Sequence, residues 1–378
     1  MGRAMRFLLG IPVVILLMQD CAAVDRSVAL GELQCGVTFG FSARRGYFDT
    51  PEAVRQVEEM ARTGVRWVCL VATVFQEEAV STCQFMDFEC TPGDDELVRT
   101  IGRIHAKGMK VQLRPMLECL DGEGRLSVYL PKMRTRMPGR RSTRATRWFE
   151  GMRKRAVHYA RIAEKTGCEL YCLDSELDRI ISFNDEWKGV VAAVREVYSG
   201  PVTSCHTLYS GGIDFFGELG KKDHWFYDLD LLLLSTYAPA AKEGEAGLSV
   251  EQMMVNLAPH REHIRKIAKL YGKPVLLGEC GCTSSTGASA HPSSWDPGQK
   301  FDGEEQARYM EALFRTFWNE PWFYGFYWWK WDEQVDRPLM RNDPAGDKGF
   351  VIAGKPAQEV MKRWFTRTDT ARDGKGLR

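Results

Sequence analysis

Eight short apolar runs punctuate this chain, and between them stand loops followed by amphipathic stretches. The runs are 34–39, 67–72, 110–113, 171–173, 202–204, 231–235, 275–277 (with Glu279 just beyond) and 324–328. Helical periodicity and capping signals mark 51–63, 94–107, 148–166, 185–198, 249–271, 304–319 and 355–365; only the stretch after the fifth run is poorly marked. Thr50-Pro51 is a helix start, with a hydroxyl cap before proline at the first helical position. Apolar strands alternating with helices predict a parallel sheet covered by helices. An open doubly wound sheet would usually carry a glycine-rich phosphate loop after its first strand. Here that loop reads Gly40-Phe41-Ser42-Ala43-Arg44-Arg45-Gly46, without the fingerprint. Eight strands and no dividing linker favour an α/β fold of one kind, a single (β/α)₈ barrel spanning 30–367.

Such barrels build their sites at the carboxyl ends of the strands. The residues expected there are Arg114 on strand three, Glu176 on four, His206 on five, Tyr237 after six and Glu279 on seven. Strand eight runs into Trp328-Trp329-Lys330-Trp331-Asp332, and Gln76 lies in the loop after strand two. A carboxylate directly after the buried run Val275-Leu276-Leu277 is not a choice packing would make, because an unpaired buried charge costs several kcal/mol. Two glutamates with aromatic platforms suit the cleavage of a glycosidic bond: one protonates the leaving oxygen, the other attacks or stabilises the anomeric carbon. Tyr237 and Arg114 would hydrogen-bond a carboxylate and hold it ionised. The blander readings are an ion pair of one glutamate with Arg114 or Arg179, a structural His206, and core packing for part of the tryptophan run.

At these residues the sequence resembles the clan A glycoside hydrolases, and among them glycoside hydrolase family 113, known for endo-β-1,4-mannanases. The resemblance spans about 34–365. It is carried by ELDR around Glu176, KPVLLGE ending at Glu279, GFYWWKWD at 325–332 and GKPAQEVMKRWF at 354–365. It implies Glu176 as general acid/base, Glu279 as nucleophile and Trp329 as platform beside the reacting sugar; the strand-end reading adds Trp331, Tyr237, Arg114, His206, Ser175 and Gln76 as candidate substrate contacts. The resemblance also implies retention through a covalent glycosyl-enzyme, a β-mannan-like substrate, and no metal or cofactor. Ser175 departs from the clan, many of whose members place there an Asn that contacts the sugar 2-hydroxyl. The alternatives are a clan A enzyme acting on a charged or amino-sugar glycan, and a glycan-binding barrel without turnover.

The remaining features bound compartment and partners. Arg3 and Arg6 precede an apolar run, and Cys21-Ala22-Ala23 offers small residues for cleavage, so 1–23 reads as an export signal, with an uncleaved N-terminal anchor as the alternative. The chain is then expected to be periplasmic or extracellular, a monomer without a stable membrane span, with a disordered tail at 368–378. Ten cysteines remain after the signal, Cys83 and Cys90 being the best candidate disulfide. Cys280-x-Cys282 lacks a second pair and falls short of a metal site, and His260 and His263 share a solvated helix face. Net charge is +1, which argues against nucleic acid, although 132–155 holds ten Lys or Arg and the single acid Glu150. That stretch is either a solvated basic loop and helix face or an attractor for anionic glycans.

Overall fold

The computed structural model describes residues 26–130, 143–207, 220–296, 299–331 and 344–367. The export segment 1–23, the tail, basic residues 132–142 and much of the segment after strand five lie outside them. Eight parallel strands close into one barrel in chain order. They are β1 (Gln34–Phe39), β2 (Trp67–Gln76), β3 (Lys110–Cys119), β4 (Leu170–Ser175), β5 (Val202–Thr207), β6 (Leu232–Ser235), β7 (Val275–Cys280) and β8 (Phe323–Trp331). The α-helices among the described residues are α1 (Pro51–Arg62), α2 (Asp94–Ala106), α3 (Thr143–Thr166), α4 (Asn184–Arg195), α5 (Val250–Tyr271), α6 (Gly303–Phe317) and α7 (Pro356–Phe365). None of them is long and apolar enough to cross a membrane.

Local chemistry explains the element ends. The Thr50 hydroxyl accepts from the Ala53 amide at 3.2 Å and starts α1. Ser249 and Gln252 exchange bonds as a capping box for α5, and Gly272 ends that helix at φ 62°.

Alternation along the strands divides the core in two. On β2, Trp67, Cys69 and Val71 belong to the small cluster filling the barrel, with Leu170, Cys172, Cys205, Leu233, Leu276 and Tyr327. Val68, Leu70 and Ala72 belong to the large cluster between strands and helices. Two glycines make the filling possible. A Cβ on Gly36 would lie 2.6 Å from the Tyr327 ring, and one on Gly278 would lie 2.6 Å from Leu233 and 2.9 Å from the Cys205 sulfur.

The structure corrects three expectations. β3 continues past Arg114 to Cys119, paired with β2 along its whole length up to Gln76. Pro115, though it has no amide hydrogen to donate, sits in register opposite Ala72. Arg114 is therefore inside the barrel, and Glu118 stands nearer the mouth. Cys83 and Cys90 are both free thiols and form no disulfide. Arg155, at the end of the basic stretch, is buried and pairs with Asp174 instead of facing solvent.

Candidate active site

The site begins with a distortion in β4. The pairing register with β5 shifts between Cys172 and Ser175. Asp174 is turned toward α3, where it pairs with Arg155 and accepts from the amides of Leu117 (3.2 Å) and Ser175 (2.7 Å). Ser175 then points inward, and its hydroxyl donates to Glu279 Oε1 at 2.6 Å. Glu176 follows in the left-handed region, at φ 60°. That backbone costs a non-glycine residue about 1–3 kcal/mol and persists where surroundings hold it, typically at functional sites. Here the Glu176 amide donates to the Cys205 carbonyl at 2.9 Å, and Ser235 on β6 donates its hydroxyl to Glu176 Oε1 at 2.7 Å.

Glu279 is 1% exposed and Arg114 is fully buried. Arg114 Nη1 donates to Glu279 Oε1 at 3.0 Å, and Nη2 donates to the Gly278 carbonyl at 3.0 Å. The Gln112 amide oxygen, oriented toward the same guanidinium, accepts from Nε (3.1 Å) and Nη2 (2.8 Å). Burial, then the charge of Glu176, pushes the Glu279 carboxyl up to about 7, against the pull of Arg125, Arg114 and the Ser175 hydroxyl. Burial and the same two carboxylates raise the Tyr237 phenol, keeping it a donor beside the pair.

The two glutamates meet at Arg125, which lies in the short 3₁₀ turn Arg125–Ser127 after β3. Its Nη2 is 2.6 Å from Glu176 Oε2 and 3.7 Å from Glu279 Oε2, while Nη1 pairs with Glu118. Sequence reasoning missed both Arg125 and Glu118. Arg125 sits in a loop whose shape no periodicity reveals, and the one available signal was a single arginine among Glu118, Asp121 and Glu123.

Of the expected contacts, Glu176, Glu279, Arg114, Ser175 and Tyr237 come together. Trp329 stands at the inner wall, 4.9 Å from the Phe41 ring, with the Lys330 ammonium 5.5 Å from Phe41 and 5.9 Å from Trp329. Three residues are placed elsewhere. Trp331 faces outward and donates its indole N–H to Gln56 on α1 at 2.6 Å. Gln76 also faces outward, accepting from the Trp148 indole at 3.0 Å and donating to the Glu78 carbonyl at 2.7 Å. His206 packs on Trp225 and Phe226 outside the barrel, its Nδ1 2.8 Å from Asp178. The alternation of side chains along a strand, which cannot be phased at an irregular end, put all three on the wrong face. Beside the β7 end lies a cavity of about 440 Å³, lined by Thr283, Ser285, His291, Glu243 and Glu245 among others. No group of three or more His, Cys, Asp or Glu among the described residues could hold a metal ion.

A closed parallel barrel with buried charged residues gathered at the carboxyl ends of its strands defines a class, the (β/α)₈-barrel enzymes. Comparison with known proteins narrows it. The profile of Glycoside Hydrolase Family 113 matches residues 37–355, and the chain belongs to that family. Among solved structures it is similar to a GH113 β-mannanase from Alicyclobacillus acidocaldarius, with 28% identity, a TM-score of 0.74, and 91% of this chain and 99% of that one covered. It is similar also to a GH113 β-1,4-mannanase solved as a complex, with 27% identity, a TM-score of 0.73, and coverage of 89% and 100%. A glycoside hydrolase family 5 mannosidase from Rhizomucor miehei shares the fold at 11% identity, with a TM-score of 0.60 and coverage of 88% and 92%. No curated protein sequence matches the chain. The protein is thus a glycoside hydrolase.

Proposed function

We propose that this enzyme cleaves β-linked mannan-type glycans with retention of anomeric configuration, Glu176 acting as acid/base and Glu279 as nucleophile. The observation that carries this reading is that both carboxylates reach one nitrogen, Arg125 Nη2, at 2.6 and 3.7 Å. Those two oxygens are separated by no more than the sum of these distances. This favours the ~5–5.5 Å spacing of retaining pairs over the ~6.5–9.5 Å that an inverting pair needs to admit water. Glu279, with Arg114 and Ser175 on the same oxygen, has the fixed orientation of a nucleophile. Trp329 offers the sugar a platform, and Tyr237 a protonated phenol. The similarity to β-mannanases supports the manno configuration.

Ser175 bears on the sugar. Its hydroxyl proton is committed to Glu279 at 2.6 Å, so Ser175 can meet a sugar 2-hydroxyl only as an acceptor, where many clan A enzymes offer an amide. The test is therefore a panel of β-1,4-linked manno- and gluco-oligosaccharides, with the first-formed anomer followed by NMR. A β-anomer released first from a manno-oligosaccharide supports the reading. An α-anomer, or turnover confined to gluco-configured chains, contradicts it. Export through 1–23 is part of the proposal, and a secreted chain beginning at Val24 is the expected product.

A further inference from the structure

Arg125 occupies the ground where the chemistry has to happen. An acid/base must lie within hydrogen-bonding distance of the glycosidic oxygen, and a nucleophile close to the anomeric carbon. Arg125 Nη2 already holds the first relation to Glu176, at 2.6 Å, and nearly the second to Glu279, at 3.7 Å. A sugar ring and this guanidinium cannot both stand between the two carboxylates.

The surroundings of Arg125 fit a side chain that leaves. Its Nε is buried without a hydrogen-bond partner among the described residues, an arrangement that destabilises the bridging position. Its turn follows two left-handed glycines, Gly122 (φ 84°) and Gly124 (φ 68°). A Cβ on Gly122 would meet nothing within 4 Å. Leu120 and Leu126 are 57% and 44% exposed, so the tip is held chiefly by Arg125 itself, through its carboxylate partners and the Phe41 ring 5.4 Å away. The base of the turn is pinned by other contacts. Leu120 and Asp121 donate their amides to Gln76 and Glu77, Tyr129 donates to Ala79, and Val128 and Leu130 are buried. Glu118 can keep hold of the guanidinium while it swings, because it pairs with Nη1, not Nη2.

We propose that Arg125 is an internal occupant of the reacting subsite, a guanidinium that bridges Glu176 and Glu279 when no sugar is bound and must be displaced by the sugar before catalysis. This rests on the functional reading above. Its consequence is a displacement cost in every productive binding event, since apparent affinity falls with the fraction of enzyme in the open form.

The experiment compares wild type with Arg125→Met, which keeps the length and removes the charge, and Arg125→Lys, on a neutral β-1,4-manno-oligosaccharide. Displacement predicts a KM lowered by about threefold to tenfold in Arg125→Met, with Arg125→Lys between it and wild type. A KM raised tenfold or more would make Arg125 a sugar contact and overturn the proposal. An unchanged KM with kcat lost would make it a positioning residue, and that overturns it too. Failure of wild type to hydrolyse the oligosaccharide would count against the functional reading alone. The Arg125 proposal is then read without turnover, from crystals of the wild type soaked with a protonated six-membered iminosugar. A ring seated between the glutamates with Arg125 withdrawn supports displacement. A ring bound there with Arg125 still on both glutamates refutes it.

Discussion

Glu176 and Glu279 are chemically identical side chains made different by their neighbours. Glu279 is clamped by Arg114 and Ser175 deep in the barrel, whereas Glu176 accepts from Ser235 and sits at the edge on a strained backbone. The two should respond differently to substitution. If Glu279 is the nucleophile as proposed, Glu279→Gln is expected to lower kcat on the order of 10⁴-fold for every substrate. Glu176→Gln should be comparably slow on an oligosaccharide but much less impaired on an aryl glycoside whose leaving group departs without a proton. Parallel kinetics on the two substrates check this, and equal losses in both variants would contradict the assignment. Ser175→Ala removes a donor to the Glu279 carboxylate. The carboxyl then rises further above its usual range, so the low-pH limb of the kcat/KM profile should move upward. A limb that stays in place would mean that the hydroxyl has no hold on the nucleophile.

The strands and turns explain how such residues are brought to bear. The register shift in β4 turns Asp174 outward and Ser175 inward, and the Asp174–Arg155 pair locks that choice against α3. His206 contributes at one remove. With the Thr207 amide it holds Asp178, two residues beyond Glu176, so it fixes the turn that carries the acid/base candidate. Gln76 ties the end of β2 to Trp148 on α3. Gln76→Ala leaves that indole N–H buried and unpaired and is expected to cost about 1–3 kcal/mol of stability. KM should stay within about twofold, because the side chain faces away from the sugar. Chemical denaturation together with substrate kinetics would show both. A large rise in KM without loss of stability would put Gln76 back in the cleft.

The barrel makes one prediction about its own stability. Glu279 has a carboxyl raised on folding from about 4.5 to about 7 by burial and by Glu176. A carboxyl raised on folding binds more protons in the folded chain than in the unfolded one. Its contribution to stability is therefore complete below about pH 4.5 and lost as pH rises through about 7. Wild type should lose Tm relative to Glu279→Gln across that window, and thermal melts at steps of pH would reveal it. A difference that stays flat would mean that Arg114 and Arg125 fully offset the burial. Under the proposed roles activity is expected to follow a bell, because one carboxyl has to be protonated as the acid while the other is ionised as the nucleophile.

The local code was enough for the architecture and for the two glutamates. Strand and helix periods, caps such as Thr50 and Ser249, and a charged residue just beyond an apolar run are short-range signals, written in neighbouring residues. Eight repeats of them admit few closed solutions besides a barrel. The faces and partners were not local. The third strand was read only as far as Arg114 until β2 carried β3 on to Cys119, and the inward or outward aim of Gln76, His206 and Trp331 depended on bends that pairing between strands creates. Arg125 is the extreme case. It is joined to Glu176 and Glu279 by no pattern in the chain, because a loop's course is set by what it packs against, and a bridge between three strands exists only once the barrel has closed.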